Sequence, residues 1–255
     1  MSETVLAPNG ILAITKAIPI LTYHQIAPAP PQGTGYRSLC VAPNDFAAHM
    51  SLLRALGYQG LCMGALMPYL RGDKQGKVVG ITFDDGYCNN LEHAAPVLRA
   101  QGFSATCYAV SNMLGQTNAW DADNGVPAAN LMTAAQLREW VACGQEVGAH
   151  TRHHARLGML DPAQSLDEIV GCKTELEQHL GVAVQHFCYP YGQYGETHVR
   201  QVAQAGYLTA TTTQRGRCAA GDRLLQLPRV PVLRRTGRTL LWWKLSSGYE
   251  DRRRG

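Results

Sequence analysis

Asp84 and Asp85 stand side by side where the apolar run Val78-Val79-Gly80-Ile81-Thr82-Phe83 stops, with Gly86 behind them. Adjacent carboxylates repel, so each makes the other harder to ionise. A divalent cation relieves this by binding one carboxylate and leaving the other as a base. Asp-Asp-Gly also makes an ordinary turn, and the stretch alone does not decide between the two. Further along, His150 and His154 are four residues apart, a spacing that puts both imidazoles on one side if the segment makes a helical turn. Two histidines and a carboxylate form a ligand set for catalytic zinc, and for iron when coordination positions stay open. A lone His-x-x-x-His pair is commonly surface or core, but with Asp84-Asp85 at another strand end the metal reading is the stronger one. His153 competes, although its phase points it elsewhere.

These residues need strands to carry them. Val78–Phe83 is rich in β-branched residues and reads as a buried strand. Similar short runs lie at 18–24, 103–110, 146–149, 184–188, 207–213 and 225–232. Helical spacing of apolar residues marks 44–56, where Pro43 precedes and Gly57 stops the helix. A second helix covers 91–100, which Pro96 must begin, kink or interrupt. Thr133 with Gln136 has capping-box spacing, Asp161-Pro162 opens a helix ending at Gly181, and another runs near 197–205. The stretch 112–130 reads as loop. Strands alternating with helices indicate parallel βαβ units closed into a barrel or opened into a sheet. In such folds working residues sit beyond the carboxyl ends of the strands, and His24, Asp84, Asp85, His150, Tyr191 and Arg229 all fall at or near predicted strand ends.

With 255 residues, 45% of them hydrophobic, the chain can fill one large core. No apolar run is long enough to span a bilayer, and 1–16 lacks the basic-then-apolar order of a secretory signal, so the expected location is cytoplasmic. Eight scattered cysteines form no CxxC pair and no disulfide framework. Of the net charge of +4, the segment 234–255 holds seven basic residues against Glu250 and Asp251, so the rest is close to neutral. That distribution excludes a nucleic-acid-binding face. Leu240-Leu241-Trp242-Trp243 lies inside the basic segment, which reads either as a docked terminal segment with solvated arginines or as a peripheral membrane contact. The expected organisation is a catalytic domain over 1–233 and a basic tail over 234–255.

Thr82-Phe83-Asp84-Asp85-Gly86, then His150-Thr151-x-x-His154, then Tyr189-Pro190-Tyr191-Gly192, resembles the polysaccharide deacetylase family with the NodB homology domain, carbohydrate esterase family 4. The resemblance runs in order from about Ile18 to Val232. It implies a distorted (β/α) barrel with fewer than eight units. The implied activity is metal-dependent hydrolysis of N-acetyl or related acyl groups from an amino sugar in a polysaccharide or glycoconjugate, such as an exopolysaccharide. Carried over by position, Asp84 is the general base, while Asp85, His150 and His154 bind the metal. The family places its oxyanion donor at a backbone N–H near Tyr191. Zinc is the expected metal, with cobalt, nickel and iron as alternatives for the same ligands.

Two departures bear on the site. Many members carry Arg at the start of the third motif to orient the base; this chain has Cys188 there, and Arg229, from the last strand, is the replacement candidate. The late Leu-x-His motif that supplies the acid is missing, since no histidine follows His198. His24 resembles the strand-end histidine of the biofilm-polysaccharide deacetylase branch and is the candidate acid. Competing readings are deformylation or deacylation of a lipid-linked sugar, hydrolysis of a non-sugar amide, and a non-catalytic carbohydrate-binding protein with the same fold.

Overall fold

The computed structural model describes residues 10–254. Residues 1–9, part of the stretch read for a secretory signal, lie outside the described residues. In chain order the strands are β1 (Ile20–Tyr23), β2 (Gln25–Ile26), β3 (Cys40–Val41), β4 (Gln59–Leu61), β5 (Val78–Phe83), β6 (Thr106–Ala109), β7 (Glu146–Ala149), β8 (His186–Cys188), β9 (Thr209–Arg215) and β10 (Leu227–Pro231). All the paired strands are parallel. Every residue of β5 is buried, as its unbroken apolar run requires. Pairing passes from β5 through β6, β7, β8, β9 and β10 to β1, and β1 returns to β5. Seven strands thus close the barrel, in line with the expectation of fewer than eight units. On the other edge of β5, β4 pairs with Val78–Gly80 and β6 with Thr82–Phe83, so β4 wedges in only at the amino-terminal end. β2 and β3 form a separate two-stranded piece.

Helices α1 (Pro43–Ala55), α2 (Met63–Leu70), α3 (Ala95–Gln101), α4 (Ala134–Ala142), α5 (Pro162–Leu180), α6 (Glu196–Gln204) and α7 (Arg238–Ser246) connect and cover the strands. The caps read from sequence are in place. Asp161 accepts from the N–H groups of Ala163 and Gln164 at 2.8 and 2.9 Å, and Gly181 closes α5 at φ 68°. Thr133 and Gln136 form a reciprocal box at α4. Pro96 sits in the first turn of α3, and a π-helical turn over Asn90–Ala94 leads into it, so the expected helix is split just before the proline. β4 and α2 carry no sequence signal of their own: Gly60 breaks the strand pattern, and α2 contains Gly64 and Pro68. Burial of Met63, Leu66, Met67 and Leu70 against the barrel overrides that weak propensity. All eight cysteines are free thiols.

The segment 234–254 folds against the body. Leu241 and Leu245 of α7 belong to the same core as Leu21, Val79 and Val230. Glu250, fully buried, accepts from Arg215 at 2.7 and 3.1 Å and from Lys244 at 2.6 Å. Burial raises the Glu250 carboxyl, but Arg215 and Lys244 outweigh it and hold it below the ordinary value. The stability this carboxylate contributes is therefore complete above the unfolded value of about 4.3 and is lost as pH falls through the lower folded value. Glu250→Ala leaves Lys244 and Arg215 without their common acceptor and is expected to cost about 3 kcal/mol at pH 7. Urea unfolding at pH 7 and at pH 3 checks this: the wild-type and variant midpoints should differ at the first and approach one another at the second.

Candidate active site

Strand register brings the chemistry together. Tyr23 of β1 pairs with Phe83 of β5, so His24 and Asp84, one step beyond, are neighbours on the rim. The Asp84 N–H donates to the Tyr23 carbonyl at 3.0 Å, and His24 Nε2 lies 3.9 Å from Asp84 Oδ2. Ala149 of β7 is flanked by Ala109 of β6 and Phe187 of β8, which places His150 beside Cys188. There Nδ1 of His150 meets the Cys188 carbonyl at 2.8 Å. A carbonyl only accepts, so Nδ1 carries a proton, and Nε2 is the nitrogen that faces Asp85 and is left for a ligand. Burial lowers this imidazole, but Cys188 and Asp85 outweigh it and raise it well above the ordinary value, so binding a metal there displaces a proton.

Asp84 and Asp85 point to different partners. Asp84 is gripped by Arg229 through two parallel hydrogen bonds of 2.7 Å, one to each carboxylate oxygen. The guanidinium is 2% exposed and also donates to Thr82 Oγ1 at 3.1 Å, the Thr212 carbonyl at 2.9 Å and Cys188 Sγ at 3.2 Å. Burial alone raises the Asp84 carboxyl, but the charge and hydrogen bonds of Arg229 hold it below the ordinary value, so it is ionised at neutral pH. Cys188, where the family resemblance leads one to expect arginine, is small enough to leave room for a guanidinium arriving from β10.

Asp85 turns away through a left-handed backbone, φ 75°. Its Oδ1 lies 3.4 Å from His150 Nε2 and 3.3 Å from His154 Nε2. Burial raises this carboxyl too, yet the two imidazoles hold it well below the ordinary range. Burial holds the His154 imidazole below its ordinary value, in the neutral form that binds metals. Bonds of about 2.0–2.2 Å to a tetrahedral zinc ion put neighbouring ligand atoms roughly 3.3–3.5 Å apart, the spacing observed from Asp85 to each imidazole. The three residues therefore fit a divalent cation. Asp84, His150 and Cys188 also come together, but Arg229 already neutralises that group and repels a second cation.

The segment from His150 to His154 makes no helical turn. Thr151 and His154 adopt φ 63° and 56°, and those two reversals make the rings converge. Glu168 of α5 anchors the loop by accepting from the N–H groups of Arg152 and His153 at 2.8 and 3.0 Å, and its other oxygen binds His153 Nδ1 at 2.6 Å. His153 thereby faces α5 and stays out of the site. Tyr191, at φ 57°, follows β8; its ring meets that of His154 at 4.5 Å, and the Arg156 guanidinium covers it at 3.9 Å. Burial pushes the Tyr191 phenol up to about 12.

Six residues singled out from sequence thus lie on one rim, His24, Asp84, Asp85, His150, His154 and Tyr191, and the seventh, Arg229, reaches Asp84 from within β10 through the barrel interior. Sequence reasoning missed Trp120 and Asp121, which fall in a turn over Ala119–Asn124, inside the stretch read as loop. Trp120 stacks on His154 with ring centres 4.6 Å apart and planes at 19°. Nothing periodic marks them, and a tryptophan among Asn, Asp and Gly was the one available signal. A cavity of about 520 Å³ between Tyr58, Tyr69 and Lys77 opens near Val78, at the other end of β5, and contains none of these groups.

The family profile described as polysaccharide deacetylase matches residues 71–210, more than half of the chain. A Bacillus subtilis protein named "Putative polysaccharide deacetylase YxkH" is 30% identical over 217 residues, covering 84% of this chain and 71% of the relative. The poly-beta-1,6-N-acetyl-D-glucosamine N-deacetylase of Staphylococcus epidermidis is 23% identical over 215 residues, 80% of this chain and 72% of its own. Among solved structures, the Streptococcus pyogenes deacetylase PplD in complex with acetate superimposes with a TM-score of 0.78 at 26% identity, over 91% of this chain and 99% of that one. The fold is shared with the Streptococcus pyogenes structure, the family profile spans all three motifs, and the chain belongs to the polysaccharide deacetylase family.

Proposed function

We propose that this protein hydrolyses the N-acetyl or a related acyl amide of an amino sugar in a polysaccharide or glycoconjugate, with a divalent metal held by Asp85, His150 and His154. The observation that carries the reading is the division of labour between adjacent carboxylates: Asp84 clamped by Arg229, Asp85 aimed at two imidazoles. The Asp/His/His set with open positions favours zinc. When bound, a divalent cation supplies Lewis acidity and lowers the pKa of water from 15.7 toward about 7.

The remaining work falls to the chain's own groups. Asp84, kept ionised, accepts the proton of the attacking water, and the Arg229 fork fixes the direction of its oxygens. The backbone N–H of Tyr191 donates to the carbonyl oxygen as negative charge develops on it. His24, 3.9 Å from Asp84 and partly open to solvent, is placed to give a proton to the departing amine. The Staphylococcus epidermidis relative's named substrate supports an N-acetylglucosamine polymer as the first substrate to try.

Location and the basic segment belong to the same proposal. Eight free thiols support a reducing, cytoplasmic setting. Among the described residues no helix is long and apolar enough to cross a membrane. Trp242 and Trp243, each 49% exposed on α7, in a segment that also exposes Arg235 and Arg238, support a peripheral contact with an anionic membrane and so favour a lipid-linked sugar as the second substrate reading. The division into 1–233 and 234–255 is one of role, with catalysis in the first part and surface contact in the second.

Amine release from N-acetylglucosamine oligomers is the primary assay. Chelation should abolish it and added zinc or cobalt restore it. Asp84→Asn should retain metal yet lose about 10²–10⁴ in kcat, and full activity in that variant sinks the mechanism. Arg229→Met should lower stability by about 3 kcal/mol by leaving Asp84 buried and unpaired, and should lower kcat more than it raises KM. His24→Ala should slow amide hydrolysis about 10²-fold while sparing an aryl acetate ester, whose leaving group needs no proton; equal losses on both substrates would remove His24 as the acid.

A further inference from the structure

Metal-binding imidazoles are ordinarily oriented by a hydrogen bond from the ring nitrogen that faces away from the metal. His150 follows that rule through its Nδ1 and the Cys188 carbonyl. His154 does not: it is 7% exposed, and its buried Nδ1 has no hydrogen-bond partner. Its ring is instead enclosed by other rings. Trp120 lies nearly parallel to one face at 4.6 Å, Tyr191 meets it at 4.5 Å with planes 73° apart, and His150 makes an edge contact at 4.9 Å.

The indole is itself held in place. An antiparallel bridge between Thr117 and Asn130 closes the base of its arm. Just above, Asn118, 2% exposed, accepts from the Ala129 N–H at 2.7 Å and donates to the Pro127 carbonyl at 3.3 Å. The Asp121 N–H then returns to the Asn118 carbonyl at 3.1 Å, which tightens the turn carrying Trp120. These bonds fix the turn; the buried indole Nε1 itself has no hydrogen-bond partner, so the ring is held by the turn and by packing on His154.

We infer that Trp120 is a positioning residue that orients His154 for metal binding, its stacked indole replacing the missing hydrogen bond to Nδ1. The inference rests on the metal-site reading of Asp85, His150 and His154. Stacking restrains the imidazole plane but not by a polar contact, so any flat ring of sufficient area serves and an aliphatic side chain of similar bulk does not.

Zinc affinity of the full chain, measured by competition with a chromophoric chelator, tests this, together with the visible spectrum of the cobalt form. Trp120→Leu and Trp120→Gln are compared with Trp120→Phe, with His154→Ala, and with Trp242→Leu as a control for loss of an indole elsewhere. Thermal melts of the metal-free proteins confirm folding. The expected result is about tenfold weaker zinc binding and an altered cobalt spectrum in the Leu and Gln variants, with affinity near wild type in Trp120→Phe and Trp242→Leu. Unchanged affinity and spectrum in both the Leu and Gln variants overturn the role given to Trp120, as does a Phe variant no better than they are. If wild type binds no zinc, or His154→Ala binds as tightly as wild type, it is the metal-site reading that fails.

Discussion

The ion pair between Arg229 and Asp84 is the constraint from which the site follows. Two adjacent carboxylates, 3% and 5% exposed, cannot both stay ionised unless each has its own compensating group. Arg229 provides for Asp84 with a planar fork that matches the carboxylate oxygen for oxygen, which a lysine does not reproduce. Burying such a pair is not a net source of stability, because desolvating both ions costs about as much as their attraction returns. What it provides is definition. With Thr82, Thr212 and Cys188 accepting the other donors, the guanidinium has one orientation, and so does the carboxylate it holds. Asp85 is then the only one of the two carboxylates left to serve a cation.

That pair spans the barrel interior, so it depends on closure. Arg229 sits on β10 and Asp84 beyond β5, and the two strands are brought within reach by β1, which pairs with both. Side chains alternate along a strand, and a one-residue slip in either pairing turns Arg229 or Asp84 to the wrong face. The same logic places His24 against Asp84 and His150 against Cys188. The catalytic arrangement is a consequence of register, and the helices outside the barrel act mainly by keeping that register fixed.

This explains which parts were legible in the sequence. Asp84-Asp85-Gly86 and the His150/His154 pair announce themselves because their chemistry is local: neighbouring charges and a four-residue spacing. Arg229 was legible only as the answer to a vacancy, Cys188 in place of the usual arginine, since nothing within Leu227-Pro228-Arg229-Val230 tells an interior arginine from an edge one. Trp120 left only its odd composition, a tryptophan among Asn, Asp and Gly, because its partner is 34 residues away in a separate loop and loops have no period to read. Helix α2 and strand β4 were hidden for a different reason: Gly60, Gly64 and Pro68 give the wrong propensity, and only burial against the barrel overrides it. The expectation of a helical turn through His150–His154 gave the convergence of the rings by a route the chain does not take.

Backbone strain shows why the route matters. Five non-glycine residues among those described have positive φ, and four of them are Asp85, Thr151, His154 and Tyr191. Each left-handed residue of this kind costs on the order of 1 kcal/mol or more and persists only where its surroundings over-determine it. Here the surroundings can be named: Glu168 holds the N–H groups of Arg152 and His153, Thr151 Oγ1 accepts from the Ala155 N–H at 3.1 Å, and the Thr151 carbonyl accepts from Ser111 at 3.3 Å. A regular helical turn carries less strain, but it would extend along one axis and could not bend both imidazoles toward a carboxylate just beyond β5. Concentrating unfavourable torsions at the three loops that carry Asp85, the histidines and Tyr191 keeps these groups in one place before any substrate arrives. Little reorganisation is then left for the reaction itself, which is the physical basis of electrostatic preorganisation.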